Sequence, residues 1–234
     1  MLKISNVDTY GWEAAIRGAR NPMNSWGKMD SRACSSNGGC HCEAENYNDS
    51  GVCSGFSIGP NDHKLLTKLA NAGPDHGKFL RMITVTMDIT APLYWWKEYD
   101  TYKVATVANS CSTMHKIHAK EFTREDFSCE HLISDEPIPG RTYSALGMID
   151  ATIRNLNMFR GLYLETKDKK YWWQLIQLLP TSYNQTRTVQ VNYQVLKSMY
   201  HARRNHKLDE WHTFCDAIRE LPYSELITGE TADV

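Results

Sequence analysis

At 234 residues, with 41% hydrophobic and 23% charged side chains and a formal net charge of −1, the chain is long enough to bury a sizeable core and has a folded protein's composition. The near-balance of charge excludes wholesale electrostatic binding to nucleic acid or an anionic membrane, and no apolar run reaches the roughly 20 residues of a membrane span. The start Met1-Leu2-Lys3-Ile4-Ser5 lacks the apolar stretch of a secretion signal, so a cytoplasmic protein is expected, with its seven cysteines as free thiols.

In chain order, the spacing of Trp12, Ala15, Ile16 and Ala19 predicts a helix over 9–20, capped by Asp8 or Thr9 and stopped at Asn21-Pro22. Residues 31–55 are rich in Cys, Gly and Ser and read as a loop or insertion. Helix returns over 62–72, with Asp62 as its expected cap, then stops at Gly73-Pro74; a short helix follows over 76–80. The β-branched run 82–89 is a strand, broken at Ala91-Pro92, and 93–102 is an aromatic-rich helix. Residues 104–118 are polar, with helix near 111–118, and 119–140 are loop. Helices are expected over 143–165, 172–179, 189–202 and 206–219. One strand cannot satisfy its own backbone, so partners are sought in 2–8, 54–58 or 120–133. The fold class is α+β, mainly helical with a small mixed or antiparallel sheet, as one domain over 1–234 carrying the 31–55 insertion.

Three constellations stand out. Cys34, Cys40, Cys42 and Cys53, with His41, loosely resemble a metal site, but their spacing departs from paired Cys-x-x-Cys turns, and zinc is disfavoured against free thiols. Arg17 and Arg20, with Asn21, Asn24, Ser25 and Trp26, are either a ligand-binding cluster or a solvated helix end. Tyr94, Trp95, Trp96 and Tyr99, and again Tyr171 to Trp173, suit a core or an oligomer interface, with base or flavin stacking as the alternative.

His76, the strand 82–89, Ala91-Pro92 and the helix after it resemble, in order and spacing, the flavin-dependent thymidylate synthase superfamily. In that family a His-x-Ser/Thr element and a strand lead to the motif Arg-His-Arg-x-x-Ser-x-Asn-x-x-Ser-x-Arg-Tyr. Here Thr101-Tyr102-Lys103 stands at Arg-His-Arg, and Thr106 at the first Ser. Allowing one residue of slippage, Asn109 and Ser112 follow; Met114-His115 replaces the final Arg-Tyr. A second block agrees: Leu179-Pro180, then Val191-Asn192-Tyr193-Gln194, Arg203-Arg204, and His206 to Glu210. The resemblance covers roughly 62–115 and 143–220. The start Asn21-Pro22-Met23-Asn24-Ser25-Trp26 also resembles phage and prophage chains, which would place the protein in the host cytoplasm.

The resemblance implies a pyrimidine nucleotide as ligand, FAD as candidate cofactor, and a homo-oligomer, most simply a tetramer, with sites between subunits. It also implies a changed chemistry. Arginine grips anionic oxygens through a planar fork that Lys103 lacks and Thr101 cannot imitate, and Gln194 replaces a nucleotide-binding arginine. The expected pocket carries Lys103, Asn109, Ser110 and Ser112 on one side, Arg203 and Arg204 on another, with Tyr102, His76 and Gln194 at positions of the family's site. Arg17 and Arg20 would form a lid. No residue is singled out as catalytic. Three readings stay open: a nucleotide-binding protein that could sequester its ligand; a flavin-dependent enzyme of pyrimidine nucleotide metabolism; and a partner-binding protein that kept only the fold.

Overall fold

The computed structural model describes residues 2–33, 56–134, 136, 139–140 and 143–229. Cys34, Cys40, Cys42 and Cys53 lie outside the described residues. The chain divides into two compact units: Met1–Lys3, Thr90–Thr101 and Asn109–Arg187 form one, and Ile4–Ile89, Tyr102–Ala108 and Thr188–Val234 the other.

The second unit opens with strand β1 (Lys3–Tyr10) and helix α1 (Trp12–Arg20). The helix expected over 9–20 is thus shorter. Gly11 adopts φ 91°, and a Cβ there would lie 2.1 Å from the Met82 carbonyl oxygen, so the chain turns from strand to helix at that residue. Thr9 does not cap; its hydroxyl accepts from the Trp12 indole at 3.1 Å. Two short strands, β2 (Arg32–Ala33) and β3 (Phe56–Ser57), pair antiparallel.

Helix α2 (Pro60–Asn71) begins two residues before its expected cap. Its first turn is capped from elsewhere in the chain: the Asp30 carboxylate accepts from the Asn61 and Asp62 amides at 2.8 and 3.0 Å. Asp62 itself turns inward and is fully buried. A 3-10 turn, Gly77–Arg81, leads into strand β4 (Thr84–Pro92), whose side chains alternate in burial. Pro92 ends that strand rather than Ala91 preceding a break, since helix α3 (Leu93–Tyr99) starts directly after it with proline as its N-cap.

The largest departure lies at 184–203. Where spacing predicts one helix over 189–202, the structure has strand β6 (Asn184–Asn192) followed by helix α7 (Tyr193–Arg203). The segment Thr186-Arg187-Thr188-Val189-Gln190-Val191 is rich in β-branched residues, and Gln185, Val189 and Val191 are buried on a period of two. Asp88 lies beside Thr188 and Thr90 beside Thr186, so β4 and β6 run antiparallel. With strand β5 (Val107–Ser110), the four-stranded order is β1-β4-β6-β5. Of the segments proposed as strand partners, 2–8 joins this sheet; 120–133 contributes only an isolated bridge, Phe127 to Tyr183.

In the second unit α7 packs against the 3-10 turn, α8 (Asp209–Arg219) and α9 (Glu225–Thr228). Its core includes Trp12, Ile16, Leu66, Val85, Tyr193, Leu196, Trp211 and Phe214. In the first unit, helix α4 (Thr113–Lys116), long helix α5 (Ala145–Thr166) and α6 (Lys169–Leu178) surround a core of Ile117, Phe122, Phe127, Leu156 and Leu175. Together these elements make an α+β fold with a small antiparallel sheet. Among the described residues, no helix is long and apolar enough to cross a membrane.

Candidate functional site

The segment that stands at the family motif leaves α3 and enters the second unit at Tyr102. Thr101 is a helix-end residue, its hydroxyl donating to the Glu98 carbonyl at 2.7 Å. The Thr106 hydroxyl donates to the Tyr102 carbonyl, closing a tight turn in which Ala105 takes a positive φ of 58°. That turn leaves Lys103 exposed.

Tyr102 reaches the end of α7, a hundred residues away in sequence. Its hydroxyl accepts from Arg203 Nε at 3.0 Å. The Arg203 guanidinium carbon lies 5.6 Å from the Tyr102 ring centre and 4.9 Å from that of Trp211, so the cation stands between two aromatic rings. Tyr102 and Trp211 meet edge-on at 6.3 Å, and His206 meets Trp211 at the same distance. Tyr102 and Arg203 are thus brought together around the buried indole of α8, and the exposed Lys103 follows Tyr102 in the chain.

Gln194, in the first turn of α7, is placed over the 3-10 turn that follows His76. Its Oε1 would lie 3.6 Å from a Cβ on Gly77. The turn of helix is fixed by Asn192, whose side chain accepts from the Val195 amide at 3.0 Å. Gln194 and the His76 segment are therefore neighbours, and His76 is exposed.

The N-terminal cluster is placed differently. Arg20 is buried, its Nε 2.5 Å from Asp62 Oδ1, and it also donates to the Ser25 carbonyl at 3.3 Å. Asp62 Oδ2 accepts in addition from the Asp30 and Ser31 amides and the Ser31 hydroxyl. Arg17 is exposed and pairs with Glu13 at 3.5 Å. In the first unit, Asn109 and Ser110 end the exposed strand β5, and the Ser112 hydroxyl caps α4 by accepting from the His115 amide at 3.0 Å.

Arg204 points away from the Tyr102 cluster to a recess of about 460 Å³ between the end of α7 and α8. Asn205, His206, His212, Cys215, Asp216 and Arg219 complete its lining. Burial pushes the Cys215 thiol up to about 11, against the pull of Arg219 and Arg204, so the sulfur stays protonated at neutral pH. Asn205 and the α8 residues of this recess escaped sequence reasoning. The signal that could have found the latter is their spacing: His212, Asp216 and Arg219 recur every three or four residues, on one helix face with Cys215.

No protein-family model matches the sequence, and no curated protein sequence matches it. Solved structures do match. A crystal structure of Thymidylate Synthase X (ThyX) from Helicobacter pylori with FAD and dUMP aligns with TM-score 0.65 and 14% identity, covering 98% of this chain and 98% of that one. A second structure of the H. pylori flavin-dependent enzyme, also with FAD and dUMP, gives TM-score 0.64 over 96% of this chain and 99% of that one, at 14% identity. The UMP/dUMP methylase PolB from Streptomyces cacaoi, bound with 5-Br UMP, aligns with TM-score 0.57 and 12% identity over 93% and 86% of the two chains. End-to-end coverage at such low identity is a likeness of fold, and the chain has the fold of the flavin-dependent thymidylate synthases.

Proposed function

We propose that this chain binds a pyrimidine nucleotide, or a related phosphorylated ligand, on a thymidylate synthase fold whose motif segment has been rebuilt, and that it is not an ordinary thymidylate synthase. The observation that carries the reading is the Tyr102–Arg203 hydrogen bond at 3.0 Å. In the family pattern three consecutive residues, Arg-His-Arg, offer donors to anionic oxygens. Here the middle one accepts from Arg203, the first donates to its own helix, and the sole cation of the three is Lys103. Losing charge-assisted hydrogen bonds at about 1.5–3 kcal/mol each removes the family's way of gripping its ligands without removing the fold. A ligand held by Lys103 beside the Tyr102–Arg203–Trp211 cluster would meet one mobile cation, one guanidinium fixed by aromatic rings, and an aromatic wall suited to a base.

The neighbours of this fold were crystallised with dUMP, FAD or 5-Br UMP, and those molecules define the panel to test. The same donor set is a poor fit for a flavin diphosphate, which needs several cationic or amide donors at once. We extend the proposal to a homotetramer in the cytoplasm, for which light scattering is the test; a monomer mass at micromolar concentration overturns it.

Calorimetric titration with UMP, dUMP and FAD tests the binding reading. At least one nucleotide should bind, and Lys103→Ala should weaken it by about 1.5–3 kcal/mol, more so at low salt. Equal binding by wild type and variant would place the pocket elsewhere. Absence of absorbance near 450 nm in the purified protein and failure to rescue a thymidine-requiring strain are expected, since a bound flavin would colour the protein. Rescue would overturn the second half of the proposal.

A further inference from the structure

The recess between the end of α7 and α8 lies outside the motif segment and shares only His206 with the surroundings of Trp211. Its volume of about 460 Å³ falls within the roughly 300–1,000 Å³ typical of small-molecule sites. Its chemistry is that of a donor-lined basin. Arg219 donates from Nε to the Tyr200 hydroxyl at 3.1 Å, and its guanidinium carbon lies 5.3 Å from that ring. The Arg204 guanidinium carbon lies 6.0 Å from the same ring, so one buried tyrosine orients both cations of the recess.

Asp216 is the lone carboxylate of the lining, and it accepts from Arg219 at 2.6 Å, which fixes that guanidinium further. The Nδ1 of His206 accepts from the Leu208 amide at 3.2 Å; the neutral ring therefore carries its proton on Nε2, as a donor. Asn205 adds an amide, and His212 a second imidazole.

We infer that this recess binds a phosphate group, as the free anion or as an ester whose organic part extends outward past the exposed Arg204, Asn205 and His212. A phosphate presents three or four oxygens in a tetrahedron and takes several donors at once; the Arg204 guanidinium, the N–H groups that Arg219 keeps beyond its bonds to Tyr200 and Asp216, an imidazole N–H and an amide match that demand better than they match a planar carboxylate. This site stands whether or not a nucleotide binds beside Lys103.

The test is a titration with inorganic phosphate, followed by calorimetry and by the imidazole proton resonances of His206 and His212. Both rings should shift and saturate in the wild type. Arg204→Ala should weaken phosphate about tenfold or more, and Arg219→Lys, which keeps the charge and loses the fork, should weaken it by a similar factor. Circular dichroism confirms that each variant is folded. Lys64→Ala, which removes an exposed cation of α2 outside both sites, should leave phosphate affinity unchanged, so a loss in Arg204→Ala is not a general effect of charge. Repeating the titration with UMP and with uridine separates the sources. Shifts of both histidines by UMP but not uridine mean that the recess takes esters; shifts by phosphate alone mean that it takes the free anion. Histidine resonances that do not move at millimolar phosphate, or Arg204→Ala and Arg219→Lys both binding as wild type, overturn the inference.

Discussion

Replacing Asp62 by asparagine should be among the most damaging single changes to this chain. The side chain is fully buried, and its carboxylate gathers four donors: Arg20 Nε at 2.5 Å on one oxygen, and the Asp30 amide, Ser31 amide and Ser31 hydroxyl at 3.0, 3.0 and 2.6 Å on the other. Asparagine preserves the shape but not the charge. Its amide nitrogen must face either the guanidinium or the two backbone amides, donor against donor, while Arg20, only 4% exposed, keeps its charge without a counterion. Removing one partner of a buried ion pair costs about 3–5 kcal/mol. The exposed Arg17–Glu13 pair is the internal control, because Glu13→Ala should change stability by no more than about 0.5 kcal/mol. Urea denaturation followed by circular dichroism reads both. The double change Arg20→Met with Asp62→Leu should cost less than Asp62→Asn alone, since it leaves no charge stranded. If Asp62→Asn unfolds within about 1 kcal/mol of wild type, the pair is not holding residues 30 and 31 onto α2.

Gly59→Ala should destabilise by about 1–3 kcal/mol in the same assay, because a Cβ at residue 59 would lie 2.3 Å from the Asp30 carboxyl carbon and 2.6 Å from its carbonyl oxygen, displacing the residue that caps α2. The Glu225 carboxylate, 2.6 Å from His63 Nε2, raises the His63 pKa above 6.5. The stabilisation from this pair is therefore present in full below the unfolded value and lost as pH rises through the folded one; Glu225→Gln should return the His63 titration, followed by proton resonance, toward 6.5 and flatten that pH dependence. Cys215, with its thiol at about 11, should alkylate on the order of a hundredfold more slowly than exposed Cys111 at mildly alkaline pH, read peptide by peptide by mass spectrometry; equal rates would show that the recess floor is open.

The fold was legible where a local pattern and a tertiary role agree. The run Thr84 to Ile89 alternates inward and outward as its β-branched composition suggests, and α5 spans nearly the length its apolar spacing implies. Reading failed where the decisive partner is distant. Nothing near Asp62 in the sequence announces that its counterion is Arg20, so a helix-start aspartate reads as a cap, whereas the cap comes from Asp30. Residues 189–192 adjoin a helix, and their place between β4 and β5 in the sheet is what makes them strand. The candidate site divides in the same way. The two blocks carrying the resemblance do meet, through Tyr102 and Arg203, but a tyrosine's hydroxyl accepting from an arginine cannot be inferred from the segment Thr101-Tyr102-Lys103 alone.

That contact constrains how far one substitution could move the chain back toward the family pattern. With histidine at position 102, the hydroxyl that accepts from Arg203 Nε disappears, and the guanidinium keeps Trp211 at 4.9 Å as its aromatic neighbour. Arg203 would then lose one directed hydrogen bond and keep its stacking on Trp211, about 0.5–2 kcal/mol of interaction with little directional demand. The identity of residue 102 thus bears on how a cation at the C-terminal end of α7 is held. The next residue, Arg204, stands 6.0 Å from the Tyr200 ring and lines another recess. Two adjacent arginines that look interchangeable in the sequence are held by different tyrosines and serve different surfaces, so charge restored at 101 or 103 would meet an Arg203 already arranged for other contacts. Rebuilding the motif would require changing residue 102 and its Arg203 contact together.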